Sequence, residues 1–196
     1  FVHGVMNTDN LSILGLTIDY GPYGWLEDYD EGWTPNTTDI QNKRYRFGKQ
    51  TQIGLWNLVR LANAIYPLIE EAEPLQKILE SYQSSYKVKY HKMMASKLGL
   101  AQFDAIPYEF IKGLTNNMQT TELDMTLFYR EISSVEFNEF NSFWQIIEKV
   151  TYKAIDEVQE RKKSWKNWFR DYSMLLQHEG RDAVSYTHLT LPTKRI

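Results

Sequence analysis

Residues 3–21, HGVMNTDNLSILGLTIDYG, constrain this chain more than any other stretch, because two short apolar runs stand between polar groups at both open ends. Leu11-Ser12-Ile13-Leu14 reads as one strand, Gly15 as the turn, Leu16-Thr17-Ile18 as a second strand, and Asp19-Tyr20-Gly21 as the closing corner. That is the pattern of a tight β-hairpin. Pairing of the two runs would bring Asn10 and Asp19 to one place. An amide oxygen and a carboxylate there suit Mg²⁺ or Mn²⁺, hard cations that take few protein ligands and complete their shell with substrate phosphates and water.

Kinase-type catalytic loops read H-R-D-x-x-x-x-N and are followed by a strand that ends in D-F-G. His3 and Asn10 keep that spacing and Tyr20 replaces the Phe, but Val5 stands where the catalytic aspartate belongs. Valine accepts no proton, so transfer of a γ-phosphoryl group to a hydroxyl loses its ordinary base. Asp9, next to Asn10, is a different carboxylate in a different place, suited to a nucleotide held in another orientation. By itself an Asp-Asn pair reads as a turn or helix cap, since both side chains bond nearby backbone. The conjunction of His3, Asn10, a hairpin-length spacer and Asp-Tyr-Gly argues instead for a kinase-like site.

HGVMNTDN together with T-I-D-Y-G-P-Y-G at 17–24 closely resembles the selenoprotein O (SelO, YdiU) family. The resemblance continues through Arg44-Tyr45, Gly48, Gln50 and Trp56-Asn57-Leu58, and gives way to general helical character after about residue 70. It implies a pseudokinase-like fold that binds ATP flipped and moves AMP onto protein hydroxyls. Under that resemblance Asp9 is the catalytic base, Asn10 and Asp19 are metal ligands for Mg²⁺ or Mn²⁺, and Asp19 also lies beside the nucleotide. Lys43 replaces a usual Gly, Lys49 a usual Asn and Thr51 a usual Pro, departures that bear on loop geometry rather than on the metal site.

The 196 residues are 42% hydrophobic and 14% aromatic, enough for one or two units with a real core. A net charge of -3 gives no global reason to bind nucleic acid or an anionic membrane, and no apolar run approaches the roughly 20 residues of a membrane span. Without cysteine there are no disulfides, and His3, His91, His178 and His188 lack metal-ligand spacing. The expected location is the cytoplasm, bacterial in type. The opening Phe1-Val2-His3 reads as the start of a fragment whose glycine-rich phosphate cover, lysine and glutamate lie upstream. At 183–196 the pattern changes abruptly to a polar and apolar alternation, read as a non-native tail.

The expected fold is α+β and protein-kinase-like: a catalytic-loop and metal-binding hairpin at 1–24, an activation-segment-like loop at 25–50, and a helical C-lobe at 51–182. Asp28-Tyr29-Asp30-Glu31-Gly32 lacks the spacing of a calcium loop, and Gly48-Lys49-Gln50-Thr51 fails as a P-loop. A helix from Thr51 should bury Leu58, Leu61, Ala62, Ile65, Leu68 and Ile69, with a kink at Pro67. Others are expected at 75–98, 107–117, 121–132, 140–150 and 152–177. In the last of these, Arg161, Lys162, Lys163, Lys166 and Arg170 interleave with Trp165, Trp168 and Phe169, as in single-stranded nucleic-acid sites. Trp165, Trp168, Tyr172 and Leu175 lie at core spacing, however, so a packed helix with a solvated basic face is the preferred reading. The expected function is protein adenylyltransfer, with ATP as substrate, hydroxyl-bearing proteins as acceptors, and no nucleic-acid or membrane partner. The rival readings are an inert nucleotide-binding pseudokinase and a small-molecule phosphotransferase.

Overall fold

The computed structural model describes residues 1–101, 104, 106–133 and 139–179, so the 183–196 tail lies outside the described residues. The helices are α1 (Gln50–Ile69), α2 (Ala72–Lys97), α3 (Tyr108–Thr120), α4 (Met125–Ile132), α5 (Phe140–Val150), α6 (Ile155–Gln159) and α7 (Lys162–His178). Contacts divide the chain into Phe1–Leu26 with Asp30–Val88, and Glu27–Tyr29 with Lys89–Ile196. The division falls inside α2.

The second unit holds most of the apolar core. Helix α3 turns Phe110, Ile111, Leu114 and Met118 inward, and α5 contributes Phe143, Trp144, Ile146, Ile147 and Val150. Both follow the three- and four-residue recurrence of an amphipathic helix. Helix α7 supplies Trp165, Trp168, Phe169, Tyr172 and Leu176. Phe143 stacks on Phe169 with ring centres 4.7 Å apart, and Trp168 lies 5.0 Å from both Phe110 and Tyr172. Trp168 Nε1 donates to Phe110 O at 3.2 Å and the Tyr172 hydroxyl to Leu98 O at 2.6 Å, while Trp165 Nε1 is buried with no partner among the described residues. These are the aromatics that raised the nucleic-acid reading. They are buried here, and Lys162 and Lys166 lie over the rings of Trp144 and Phe140.

Three expectations for this unit need correction. Leu175 is only half-buried and Phe169 and Leu176 take inward places, because the apolar stripe of α7 is wider than a single row. The expected helix over 152–177 is two, α6 and α7, parted at Glu160-Arg161. Helix α4 starts four residues later than expected, where the Asp124 carboxylate caps it by accepting the Leu127 N–H at 2.8 Å. Thr121 is drawn off by its own hydroxyl bond to Asn117 O, and Leu123 pairs with Thr151.

The first unit has less core: among described apolar residues only Val2, Leu26 and Ile53 are buried in it. The hairpin is reduced to one antiparallel bridge, Leu11 with Thr17, and no extended strand forms among the described residues. The Ser12 hydroxyl accepts the Leu14 N–H at 3.1 Å and Gly15 N–H reaches Ser12 O at 3.1 Å, so the first run curls before it can pair. Ile13 and Leu14 are left 83% and 79% exposed. A lone two-stranded ribbon of this length has little to hold it extended. The stripe expected to be buried on α1 is also open: Leu61, Leu68 and Ile69 are exposed, whereas Ile53, Gly54 and Asn57 are buried. Pro67 lies in the last turn, and Glu70 at φ 61° ends the helix. Helices α1 and α2 meet at Gly54, where an added Cβ would lie 2.8 Å from the Tyr82 hydroxyl oxygen; that hydroxyl donates to Thr51 O at 3.2 Å. Burial, and to a lesser degree Tyr86, raises the Tyr82 pKa.

Candidate active site

Residues 5–10 form a loop that ends in a 3-10 turn, Thr8–Asn10, capped by the Asn7 side chain, which accepts the Asn10 N–H at 3.1 Å. The Asn10 amide nitrogen donates to Val5 O at 3.0 Å. Its other end, Oδ1, accepts no bond among the described residues and keeps its lone pairs for an outside partner, as a metal-ligating amide requires. Asp9 is exposed on the same turn, with Thr8 Oγ1 at 3.4 Å from its carboxylate.

His3 joins this loop to the segment ahead of Asp19. A carbonyl can only accept, so His3 Nε2 donates to Ile18 O at 2.7 Å, and Nδ1 accepts the Val5 N–H at 3.3 Å. One neutral tautomer meets both bonds. The Leu11–Thr17 bridge fixes the other side, so Asn10 and Asp19 are bracketed by the same two ties. Asp19 itself adopts φ 51°, a left-handed conformation that Asp tolerates better than most residues, with its side chain in solvent.

The sequence motif did not reveal how the loop is held. Gln50, at the start of α1, accepts the His3 N–H at 3.0 Å through Oε1 and donates to Phe1 O at 3.1 Å through Nε2. Two turns further along the same helix face, Asn57 is 2% exposed and its Nδ2 lies 3.0 Å from Met6 O and 3.4 Å from Asn7 O. Asn36 donates to Gly4 O at 3.1 Å. Gly4 sits at φ +84° with the Pro22 carbonyl oxygen 2.6 Å from where a Cβ would be, so a side chain there collides with backbone. The seven-residue separation of Gln50 and Asn57 was the available signal, since it places two amides on one helix face.

Among the described residues no three His, Cys, Asp or Glu side chains gather into a metal site. One carboxylate plus one amide oxygen fits an ion that shares its shell with phosphates and water. A groove of about 730 Å³ between α3 and α7, lined by Phe110, Gly113, Asn167, Trp168, Met174 and His178 among others, contains none of the motif residues.

A family model described as "Protein adenylyltransferase SelO" matches residues 1–193. The chain belongs to the SelO family. The SelO match covers the loop with Asp9 and Asn10, the Asp19 corner and the seven helices among the described residues. Among curated relatives, a protein nucleotidyltransferase YdiU of Flavobacterium johnsoniae is 54% identical over 175 residues, 88% of this chain and 33% of its own length. A YdiU of Rhodopirellula baltica is 47% identical over 190 residues, 92% of this chain and 35% of its own. The chain thus spans about a third of the length of these SelO relatives.

Proposed function

We propose that this chain carries the catalytic-loop and metal-binding part of a kinase-like protein adenylyltransferase, which moves AMP from ATP to a Ser, Thr or Tyr hydroxyl. The observation that carries the reading is Asn10: its amide nitrogen is committed to Val5 O, its oxygen is open, and an unburied carboxylate, Asp9, stands on the same turn. Asn10 Oδ1 and the Asp19 carboxylate would hold a Mg²⁺ or Mn²⁺ ion, which supplies charge neutralisation at the ATP phosphates. Asp9 accepts the proton of the attacking hydroxyl as its oxygen bonds to the α-phosphorus and pyrophosphate departs. Val5 offers no such acceptor at the ordinary kinase position, which supports transfer from the α- rather than the γ-phosphate. The proposed acceptors are proteins. No helix among the described residues is long and apolar enough to cross a membrane.

The test replaces the matching segment of the Flavobacterium johnsoniae relative with residues 1–179 and supplies ATP labelled at the α- or γ-phosphate. Protein labelling from the α-position is expected. Labelling from γ would make the site a phosphotransferase, and labelling from neither would make it an inert nucleotide binder. Asp9→Ala should lower turnover by about 10²–10⁴ with nucleotide affinity nearly unchanged, whereas Asn10→Ala and Asp19→Ala should weaken metal-dependent ATP binding. The reverse pattern would exchange the roles of base and ligand.

A further inference from the structure

Between Asp39 and Glu70 the chain has Lys43, Arg44, Arg46, Lys49 and Arg60 and no acidic residue, although the whole carries a net charge of -3. The structure gathers part of this charge on one exposed ring. Arg44 Cζ and Arg60 Cζ each lie 4.7 Å from the centre of Trp56, which is 37% exposed, and Arg44 is also 5.6 Å from the ring of Tyr45. Among the described residues none of these five cations forms an ion pair. Asp39, which precedes this stretch, is buried and already engaged, accepting the backbone N–H of Arg44 at 2.9 Å and of Tyr45 at 2.7 Å, and Glu31 packs at Gly48, on the far side of Arg46 from Arg44 in the chain. The role of Asp39 is to fix the backbone from which Arg44 reaches the indole. Arg60 reaches the same ring from one turn further along α1.

We propose that Arg44, Trp56 and Arg60 form a docking surface for an acidic segment of the protein substrate. Two guanidinium groups sharing one indole repel each other and lack a counter-charge, so the arrangement is completed only when carboxylates arrive. Stacked on a ring, a guanidinium still presents its N–H edge for bidentate carboxylate contact. Trp and Arg are the residue types that most often dominate protein interfaces. Nucleic acid fits less well, because the guanidinium groups already occupy the indole contacts that a base would use for stacking. The surface also borders the site: Trp56 directly precedes Asn57, whose amide holds Met6 and Asn7 on the loop with Asp9 and Asn10. The identity of the docked segment as substrate rests on the adenylyltransferase reading; the surface does not.

Fluorescence anisotropy on the full 196-residue chain tests it, with three labelled probes: a short peptide rich in Asp and Glu around one Ser, the same peptide with Lys at the acidic positions, and a single-stranded oligonucleotide. The acidic peptide should bind, and more weakly as salt rises. Arg44→Gln and Arg60→Gln should each lower that affinity about threefold to tenfold, with partial recovery in Arg44→Lys and Arg60→Lys, which keep charge but lose the fork. Arg170→Gln on α7 should change nothing. Unchanged binding by the Arg44→Gln, Arg60→Gln double variant, or preference for the Lys peptide or the oligonucleotide, overturns the proposal. Loss of binding in the double variant without any α-label transfer by the grafted relative leaves the surface standing and sinks the transferase reading. Transfer without guanidinium-dependent peptide binding does the opposite.

Discussion

Asn57→Asp exchanges one amide for a carboxyl of the same shape and tests whether the loop is held as described. In the native chain Nδ2 faces Met6 O at 3.0 Å and Asn7 O at 3.4 Å, while Oδ1 is buried with no partner among the described residues. An ionised carboxylate there would face two carbonyl oxygens with almost no water, so it must take up a proton to stay folded. Protonation costs about 1.4 kcal/mol for each pH unit above about 3.9, or roughly 4 kcal/mol at pH 7, which caps the electrostatic penalty. Replacing two weak donor contacts by one hydroxyl adds about 1 kcal/mol. The variant should therefore lose roughly 5 kcal/mol near pH 7 and only about 1 kcal/mol near pH 4. The sign follows from proton counting. In the variant the folded state keeps a proton that the unfolded chain has released, so stability relative to wild type falls as pH rises above the unfolded value and levels off above the raised folded one. Urea unfolding of both proteins at several pH values between these limits gives the difference directly. A penalty that is flat with pH, or smaller than about 1 kcal/mol throughout, would refute the view that Asn57 donates into a dry contact.

Lys43, at φ 46°, should yield a chain more stable by about 0.5–1 kcal/mol on Lys43→Gly, or about 1–4 °C in Tm, whereas Lys43→Ala keeps the strained backbone and should not gain. Gly4→Ala should cost at least about 2 kcal/mol in urea unfolding, through both its φ of +84° and the Pro22 carbonyl 2.6 Å away, and should abolish transfer in the grafted relative. Phe143→Ala, which empties a fully buried place stacked on Phe169, should cost about 3–5 kcal/mol in the second unit, with binding of acidic peptide to Arg44 and Arg60 largely kept.

Much of the helical order was legible. The helices expected at 75–98, 107–117 and 140–150 lie within about three residues of α2, α3 and α5. The face of α1 was misread because its apolar stripe was taken as core, and the structure leaves Leu68 85% exposed. Periodicity says that a face can be covered, not which neighbour covers it. Asn10 and Asp19 stood out because their spacing matched a motif, and Asp9 because it adjoins Asn10; Gln50 and Asn57 were named within the resemblance with no loop-holding role, since an amide on a helix looks the same whether it faces water or a loop. The reduced hairpin was a local competition: Ser12 offered the backbone a turn, and period-two patterning cannot register that.

Gln50, Asn36 and Asn57 all grip the loop through its main chain, at Phe1 O, His3 N, Gly4 O, Met6 O and Asn7 O. The support is therefore indifferent to side chains at Val5, Met6 or Thr8, so long as the backbone path is kept. A scaffold fastened in this way can exchange the reacting groups on its loop without rebuilding what holds them. On the proposed reading, an acid absent at the position of Val5 and supplied at Asp9 is an exchange that such a framework admits without rebuilding its supports.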